Sequence, residues 1–230
     1  MKTKISILTL AVVATGAMYL TGCSGDDLST PTIVLEGDDP FIVELGGTYT
    51  EPGFTATDDE DGDISADVTV DESAVNTSSI GEYEVSYSVS DKAGNVGTTT
   101  RIVRVVMTKD DYLGSYSVHE LCDLDGDGVK GEAGEIFDYS VTVTSGGDAD
   151  ELIFDNFGAY GAGVIVPVYF SGDLEEVLSV DHYNLPGTTV YFDATGEVTT
   201  GTTSDIVFDL SYSAQDGGDI VPCDATFTKL

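Results

Sequence analysis

The sequence predicts an all-β protein, with a β-sandwich followed by a second antiparallel β-barrel or sandwich domain. Short alternating or apolar segments rich in Val, Ile, Thr, Tyr and Phe recur from residue 32 to the end, with Gly, Asn and Asp turns between them. Helical periodicity with capping signals does not appear in this region. The chain is 41% hydrophobic despite a net charge of −34, so we expect folded domains rather than disorder.

The first 22 residues predict an export signal. Lys2 and Lys4 precede an apolar run at residues 5–20, and the segment LTGC follows at residues 20–23. This segment resembles a bacterial lipobox, which implies that Cys23 is the lipidated residue, carrying acyl chains such as palmitate. The alternative is a single transmembrane helix of about 20 residues. No positive cluster follows the run, which favours the signal peptide.

A polar tether is expected at residues 23–31. Its segment GDD at residues 25–27 resembles the acidic export tag that follows the lipidated cysteine in surface lipoproteins of Bacteroidota. The resemblance implies the outer leaflet of the outer membrane, with the N-terminal lipid as the contact to the membrane and the chain exposed at the cell surface.

The charge balance restricts the partners. The sequence has 42 acidic residues against 8 basic ones. Because such a chain repels polyanions, nucleic acid is not an expected partner. Abundant carboxylates instead favour hard cations such as Ca²⁺.

About seven short predicted strands fill residues 32–107, which is typical of a β-sandwich. In the segment GEYEVSYSV at residues 81–89, alternate residues should face the core. The region resembles the bacterial immunoglobulin-like (Ig-like) domain of pesticidal crystal proteins and many bacterial surface proteins. The segments that carry the resemblance are IVLEGD (33–38), ELGGTY (44–49), EPGFTATD (51–58), DGDI (61–64), GEY (81–83) and YSVSDKAGN (87–95).

Residues 108–230 are predicted to form a second domain of eight or nine antiparallel strands, either a closed up-and-down barrel or a two-sheet sandwich. Separate strands are expected at residues 188–193 and 197–200. The segment YLGSYSV at residues 112–118 resembles the start of lipocalin-like domains in Bacteroidota surface lipoproteins. An exported compartment permits a disulfide between Cys122 and Cys223, which would favour the barrel by closing the sheet on itself.

A calcium loop is predicted directly after Cys122. Asp123, Asp125 and Asp127 match positions 1, 3 and 5 of an EF-hand-like loop, and a glycine occupies the sixth position. Position 12 is not an acid, so the remaining ligands would come from nearby residues. We expect a structural Ca²⁺ that stiffens the loop, and the alternative is an acidic turn without an ion. The further ligands would be the Val129 carbonyl and the carboxylates of Glu132 and Glu135.

Catalytic signals are sparse, so an enzyme is not expected. The two histidines, His119 and His182, are far apart in sequence, and no nucleophile elbow, P-loop or HExxH motif is present.

Aromatic residues in turn regions predict either a ligand platform or plugs for the ends of the barrel. The three candidates are Phe157, Tyr160 and Tyr183. The sequence thus favours a non-catalytic, lipid-anchored surface protein whose Ig-like spacer presents a module for adhesion or for binding a protein. The alternative is a glycan-binding accessory lipoprotein of an outer-membrane nutrient-uptake system.

Overall fold

The computed structural model describes residues 26–159, 164–172, 176–184, 191–216 and 219–230. Within these ranges the chain forms fifteen strands, one short α-helix and two 3₁₀ turns at Ser65–Asp67 and Phe157–Ala159. None of the helices in these ranges has the length and apolar character needed to cross a bilayer. The N-terminal strands are β1 (Thr32–Leu35), β2 (Phe41–Glu44), β3 (Phe54–Asp58), β4 (Gly62–Asp63), β5 (Thr69–Asp71), β6 (Gly81–Ser90) and β7 (Val96–Val106). Helix α1 (Lys109–Tyr112) then leads into β8 (Gly114–Cys122), β9 (Ile136–Ser145), β10 (Glu151–Asp155), β11 (Ile165–Ser171), β12 (Val177–Asn184), β13 (Tyr191–Thr202), β14 (Asp205–Asp216) and β15 (Asp219–Lys229).

The N-terminal domain is the predicted Ig-like β-sandwich. One sheet has the order β1-β3-β4 and the other the order β2-β7-β6-β5, with β2 parallel to β7. Strand β6 alternates as the sequence predicts, so that Val85, Tyr87 and Val89 are buried between the sheets. Two valines of β7, Val103 and Val105, complete this side of the core. The period-two pattern therefore places the correct face inward.

A buried arginine occupies the core of this domain. Arg101 on β7 is fully buried, and its guanidinium donates to the carbonyl oxygens of Glu36 (2.6 Å) and Asp38 (2.5 Å). It also pairs with the Glu51 carboxylate at 3.3 Å and donates to the Tyr87 hydroxyl at 3.2 Å. The cation thus joins the segment before β2 to the inner face of the sheet.

The C-terminal domain is a closed antiparallel up-and-down barrel of the eight strands β8 to β15. Each strand pairs with its neighbour in sequence, and β15 pairs with β8 to close the sheet. The barrel is therefore the correct one of the two predicted architectures. Aromatic side chains fill its interior, with ring centroids of Phe208 and Phe227 only 4.8 Å apart and Phe154 within 5.8 Å of both.

One strand prediction for the barrel is wrong. The segments expected as separate strands at residues 188–193 and 197–200 are not separated, because β13 runs without a break from Tyr191 to Thr202. The reason lies at Gly196, where a side chain would lie 1.9 Å from the Asp209 carbonyl oxygen of β14. Glycine here permits close approach of the neighbouring strand and does not end its own.

A disulfide joins the first and last strands of the barrel, as the sequence predicts. Cys122 and Cys223 are directly opposite in the β8–β15 ladder, with Cα atoms 4.1 Å apart. The two cysteines are 101 positions apart in sequence. In the chain-entropy model a loop of about this length contributes roughly 4.7 kcal/mol to stability.

The two domains are joined by buried and hydrogen-bonded chain rather than by a free linker. Met107 is 1% exposed and belongs to the barrel core, and α1 begins two residues later with a Thr108–Asp111 capping box. Backbone bonds also cross between domains: the Ile80 amide donates to the Gly201 carbonyl oxygen at 2.9 Å, and a second bond of 3.0 Å joins Thr203 to Ser78. Ile80 packs against the barrel core.

Candidate functional site

Cys23 lies outside the residues that the structure describes, and the described site residues collect at the end of the barrel that lies farther from the Ig-like domain. Strand β8 starts beside α1 and runs to Cys122, so the loop at residues 123–135 emerges at the opposite end. The ends of β10 and β12 and the start of β15 lie there too, because neighbouring strands are antiparallel. We call this end the distal end.

The loop at residues 123–135 is held by its own carboxylates. Asp123 is buried, and its two oxygens accept the backbone N–H groups of Gly126 (2.8 Å) and Gly128 (2.9 Å). Asp125 accepts from the Asp127 amide at 3.2 Å, and Asp127 accepts from the Val129 amide at 2.8 Å. One carboxylate oxygen from each of the three aspartates lies within 4.8 Å of the others. The predicted positions 1, 3 and 5 therefore converge.

The two glutamates of the predicted calcium site differ from these aspartates. Glu135 is buried, and its carboxylate accepts the backbone N–H groups of Leu124 (2.8 Å) and Glu132 (3.2 Å). It therefore closes the base of the loop. Glu132 is exposed. Neither glutamate belongs to the convergent group formed by the aspartates in the described part of the chain.

The prediction of an exposed platform is wrong for Phe157. This residue is fully buried, with its ring centroid 5.0 Å from that of Tyr212 and 5.5 Å from that of Phe192. Positive φ angles at Asn156 (72°) and Gly158 (76°) turn the short 3₁₀ segment into the barrel. Phe157 thus plugs the distal end, which was the other interpretation of the sequence.

Tyr183, the second platform candidate, gives little exposed aromatic surface. Tyr183 is half-buried and packs against the barrel core. Tyr160 lies outside the residues that the structure describes. His119 is exposed on the outer face of β8 and bonds Asp138 at 2.8 Å, whereas nothing is described for the side chain of His182.

Sequence reasoning missed Glu120, the buried carboxyl group of the barrel interior. The alternation of β8 turns Tyr116, Val118, Glu120 and Cys122 inward, so the signal was an acid in an otherwise apolar register. Glu120 is 1% exposed, and its Oε1 atom accepts the Tyr212 hydroxyl. Its Oε2 atom has no hydrogen-bond partner in the described structure. Burial raises the pKa of Glu120, and hydrogen bonds from Tyr139 and Tyr212 offset only part of that rise.

A small cavity lies directly against Glu120. Its volume is about 130 Å³, and the Cys122–Cys223 disulfide forms part of its wall. The other lining residues are Leu124, Phe137, Gly158 and Val221. The distal end of the barrel therefore combines an acidic loop on the outside with an apolar recess that contains one carboxyl group.

Comparison with known proteins identifies the N-terminal domain. The family described as "Bacterial surface protein, Ig-like domain" matches residues 33–105, so this region is a bacterial surface Ig-like domain. The family indicates a protein of the bacterial cell surface. No curated protein matches the chain in sequence.

Several solved structures are similar to the chain. One is a lipoprotein of Bacteroides thetaiotaomicron, 18% identical, covering 87% of this chain and 100% of its own, with a TM-score of 0.34. Another, of unknown function from Bacteroides ovatus, is 10% identical, covers 71% of this chain and 70% of its own, and has a TM-score of 0.35. A third contains the CBM51-2 domain, in complex with GlcNAc, and INT domains of Clostridium perfringens ZmpB. It is 16% identical, covers 87% of this chain and 44% of its own, and has a TM-score of 0.30.

Proposed function

We propose that this chain is a non-catalytic lipoprotein of the outer membrane, anchored through Cys23, whose Ig-like domain holds the distal end of the barrel away from the membrane. The distal end then serves as the surface that binds a partner or mediates adhesion. The observation that carries this proposal is the position of the chain entry relative to the barrel.

The described chain enters the Ig-like domain at the end opposite the barrel. The Asp27 carbonyl oxygen accepts from the Asn95 side chain at 3.1 Å, and the Ser29 hydroxyl donates to Asp59 at 3.0 Å. Asn95 lies in the turn between β6 and β7, whereas Gly81, at the other end of β6, follows the Ile80 contact with the barrel. Ten strand residues separate these ends by about 30 Å. A lipid attached before Asp27 and the barrel would therefore lie at opposite ends of the domain.

The joint between the domains supports the role of a stiff spacer. Free polar linkers behave as flexible coils, and domains joined by them move independently. Here Met107 is buried in the barrel core, and backbone hydrogen bonds join Ile80 to Gly201 across the interface. The spacer and the barrel should therefore move together, which favours presentation of the distal end at a fixed distance from the membrane.

For the loop at residues 123–135 we propose a structural Ca²⁺ ion. The converging oxygens of Asp123, Asp125 and Asp127 are the hard ligands that Ca²⁺ prefers, and the Val129 carbonyl follows them in sequence. Glu132 is exposed and available as a further ligand, whereas Glu135 is buried outside the converging group and closes the base of the loop. The ion would stiffen the distal surface.

Labelling and surface digestion test the anchor. Cells expressing the full chain are fed a radiolabelled palmitate, and intact cells are then treated with a protease. We expect label in the wild type and none in Cys23→Ser, and we expect protease to remove the wild-type barrel from intact cells. Replacing Asp26 and Asp27 by Asn should keep the label but protect the protein from protease, because the acidic tag is proposed to direct export to the outer leaflet. Label that persists in Cys23→Ser would contradict the anchor.

A further inference from the structure

The carboxyl group of Glu120 is buried, and one of its oxygens has no hydrogen-bond partner in the described structure. Buried polar atoms almost always have hydrogen-bond partners, and a carboxyl group in an apolar interior is among the least favourable groups to leave unpaired. The Tyr212 hydroxyl donates to Oε1 and Tyr139 also contributes a hydrogen bond to the carboxyl group, but Oε2 itself has no partner among the described residues, although Glu120 is 1% exposed. If Glu120 served only to stabilise the barrel, both of its carboxyl oxygens would be expected to accept hydrogen bonds from the protein.

The free oxygen belongs to a residue that lines the distal cavity. About 130 Å³ is room for roughly four water-sized groups, since one water takes about 30 Å³ of liquid. Apart from Glu120 the lining side chains are apolar, and the described lining contains no basic residue that could neutralise the carboxylate. Leu124 is half-exposed and marks the opening toward solvent. The lining side chains therefore offer an apolar wall with a single carboxyl group.

We propose that this cavity binds a primary ammonium group on a short alkyl chain. The ammonium would donate to Oε2 of Glu120, and the alkyl carbons would lie against Phe137, Val221 and the disulfide. A cation is favoured over a neutral donor because the chain carries a net charge of −34, and the acidic loop stands beside the opening. The proposal depends on the barrel alone and holds whether or not the chain is a lipid-anchored spacer.

Calorimetric titration of the full chain in detergent tests the site, with n-butylammonium chloride as the probe. n-Butanol is the matched ligand control, because it has the same carbon chain without the charge. We expect the Kd of n-butylammonium to be at least tenfold lower than that of n-butanol at the same ionic strength. Equal Kd values for the two ligands, or no binding of n-butylammonium, would overturn the proposal.

Substitutions in the cavity and away from it test whether the ligand binds at Glu120. Glu120→Gln preserves shape but removes the charge, and it should weaken n-butylammonium binding at least tenfold. Glu197→Gln removes the same charge from the exposed face of β13 and should leave the Kd unchanged. If Glu120→Gln fails to fold, Val221→Phe fills the cavity from its wall and should weaken binding equally. Wild-type affinity in a folded Glu120→Gln protein would refute the assignment.

A lysine derivative identifies the source of the ammonium group. Nα-acetyl-lysine amide ends in the same butylammonium chain, and Nα-acetyl-norleucine amide is its control without the charge. Binding of the lysine derivative over its control supports a lysine side chain of a protein as the occupant. Binding of n-butylammonium alone supports a free amine.

Discussion

Replacing Glu51 by glutamine removes the negative partner of a buried cation. Arg101 is 0% exposed and the Glu51 side chain is 15% exposed, with the two charges 3.3 Å apart. Glu51 also accepts from the hydroxyl groups of Tyr49 and Tyr87 and from the Gly53 amide at 3.0 Å. Burial raises the pKa of Glu51, but these hydrogen bonds and the Arg101 charge together lower it by more, so the net shift of the pKa is downward. The folded state therefore prefers the carboxylate.

The expected destabilisation follows from the burial of the pair. Removing one partner of a buried ion pair leaves the other charge uncompensated and costs about 3–5 kcal/mol. The matched control is Glu82→Gln on β6, where Glu82 is 52% exposed and pairs with Arg104 at 2.6 Å. An exposed ion pair contributes about 0–1 kcal/mol, so this control should change stability little.

Hydrogen exchange of the amides in β6 and β7 measures the effect within the Ig-like domain, independently of the barrel. A loss of about 3–5 kcal/mol corresponds to exchange faster by roughly two to three and a half orders of magnitude in Glu51→Gln, since about 1.4 kcal/mol is a factor of ten. The Glu82→Gln control should exchange less than about tenfold faster. Similar rates in the two variants would refute the argument that burial makes the Arg101–Glu51 pair important.

The same pair predicts a dependence of stability on pH. Because the pKa of Glu51 is lowered in the folded state, the stability that its carboxylate contributes is present above the unfolded pKa and should be lost as pH falls through the lowered folded pKa.

Four further predictions concern the barrel and its joint. The pKa of Glu120 is raised in the folded state, so the stability that its protonated form contributes is present below the unfolded pKa and is lost as pH rises through the folded pKa. The melting midpoint of the wild type should therefore fall as pH rises, and that of Glu120→Gln should change less. Parallel plots of melting midpoint against pH for the two proteins would contradict this prediction. A Cβ at Gly201 would lie 2.7 Å from Ile80, so Gly201→Val should accelerate proteolysis at residues 106–112 several-fold, whereas Gly147→Val, where the nearest atom is 3.6 Å away, should not. Phe157→Ala should lower the free energy of unfolding by about 3–5 kcal/mol in urea denaturation, and a loss below about 1 kcal/mol would argue against its buried position. Ca²⁺ should raise the melting midpoint of the wild type and not of Asp125→Ala; a midpoint that a chelator leaves unchanged in both proteins would count against the ion.

The sequence predicts those features of the fold that depend on local pattern. Alternation fixes the inward face of β6, and the two cysteines correctly predict that the first barrel strand meets the last. Both arise from the two-residue period of a strand and from the even number of cysteines after Cys23. The Ig-like domain could be recognised because its motifs are spread along the whole of its length.

The features that the sequence does not reveal depend on contacts between distant residues. Phe157 turns inward because of the positive φ angles beside it, and glycine or asparagine in a loop permits such angles without requiring them. The continuity of β13 depends on the approach of β14 to Gly196. Glu120 could be placed inside the barrel from its register, but its unpaired oxygen follows from what surrounds it in three dimensions.

The position of the chain entry at one end of the Ig-like domain and the barrel at the other has a mechanical consequence. A pull between the proposed anchor and a partner on the distal end would run along the strands of the Ig-like domain. Ladder hydrogen bonds are perpendicular to the strands, so β6 and β7 would have to shear past each other with all their bonds loaded together. Under tension at the cell surface the domain would therefore resist extension, because its ladder hydrogen bonds would have to break together and not one after another.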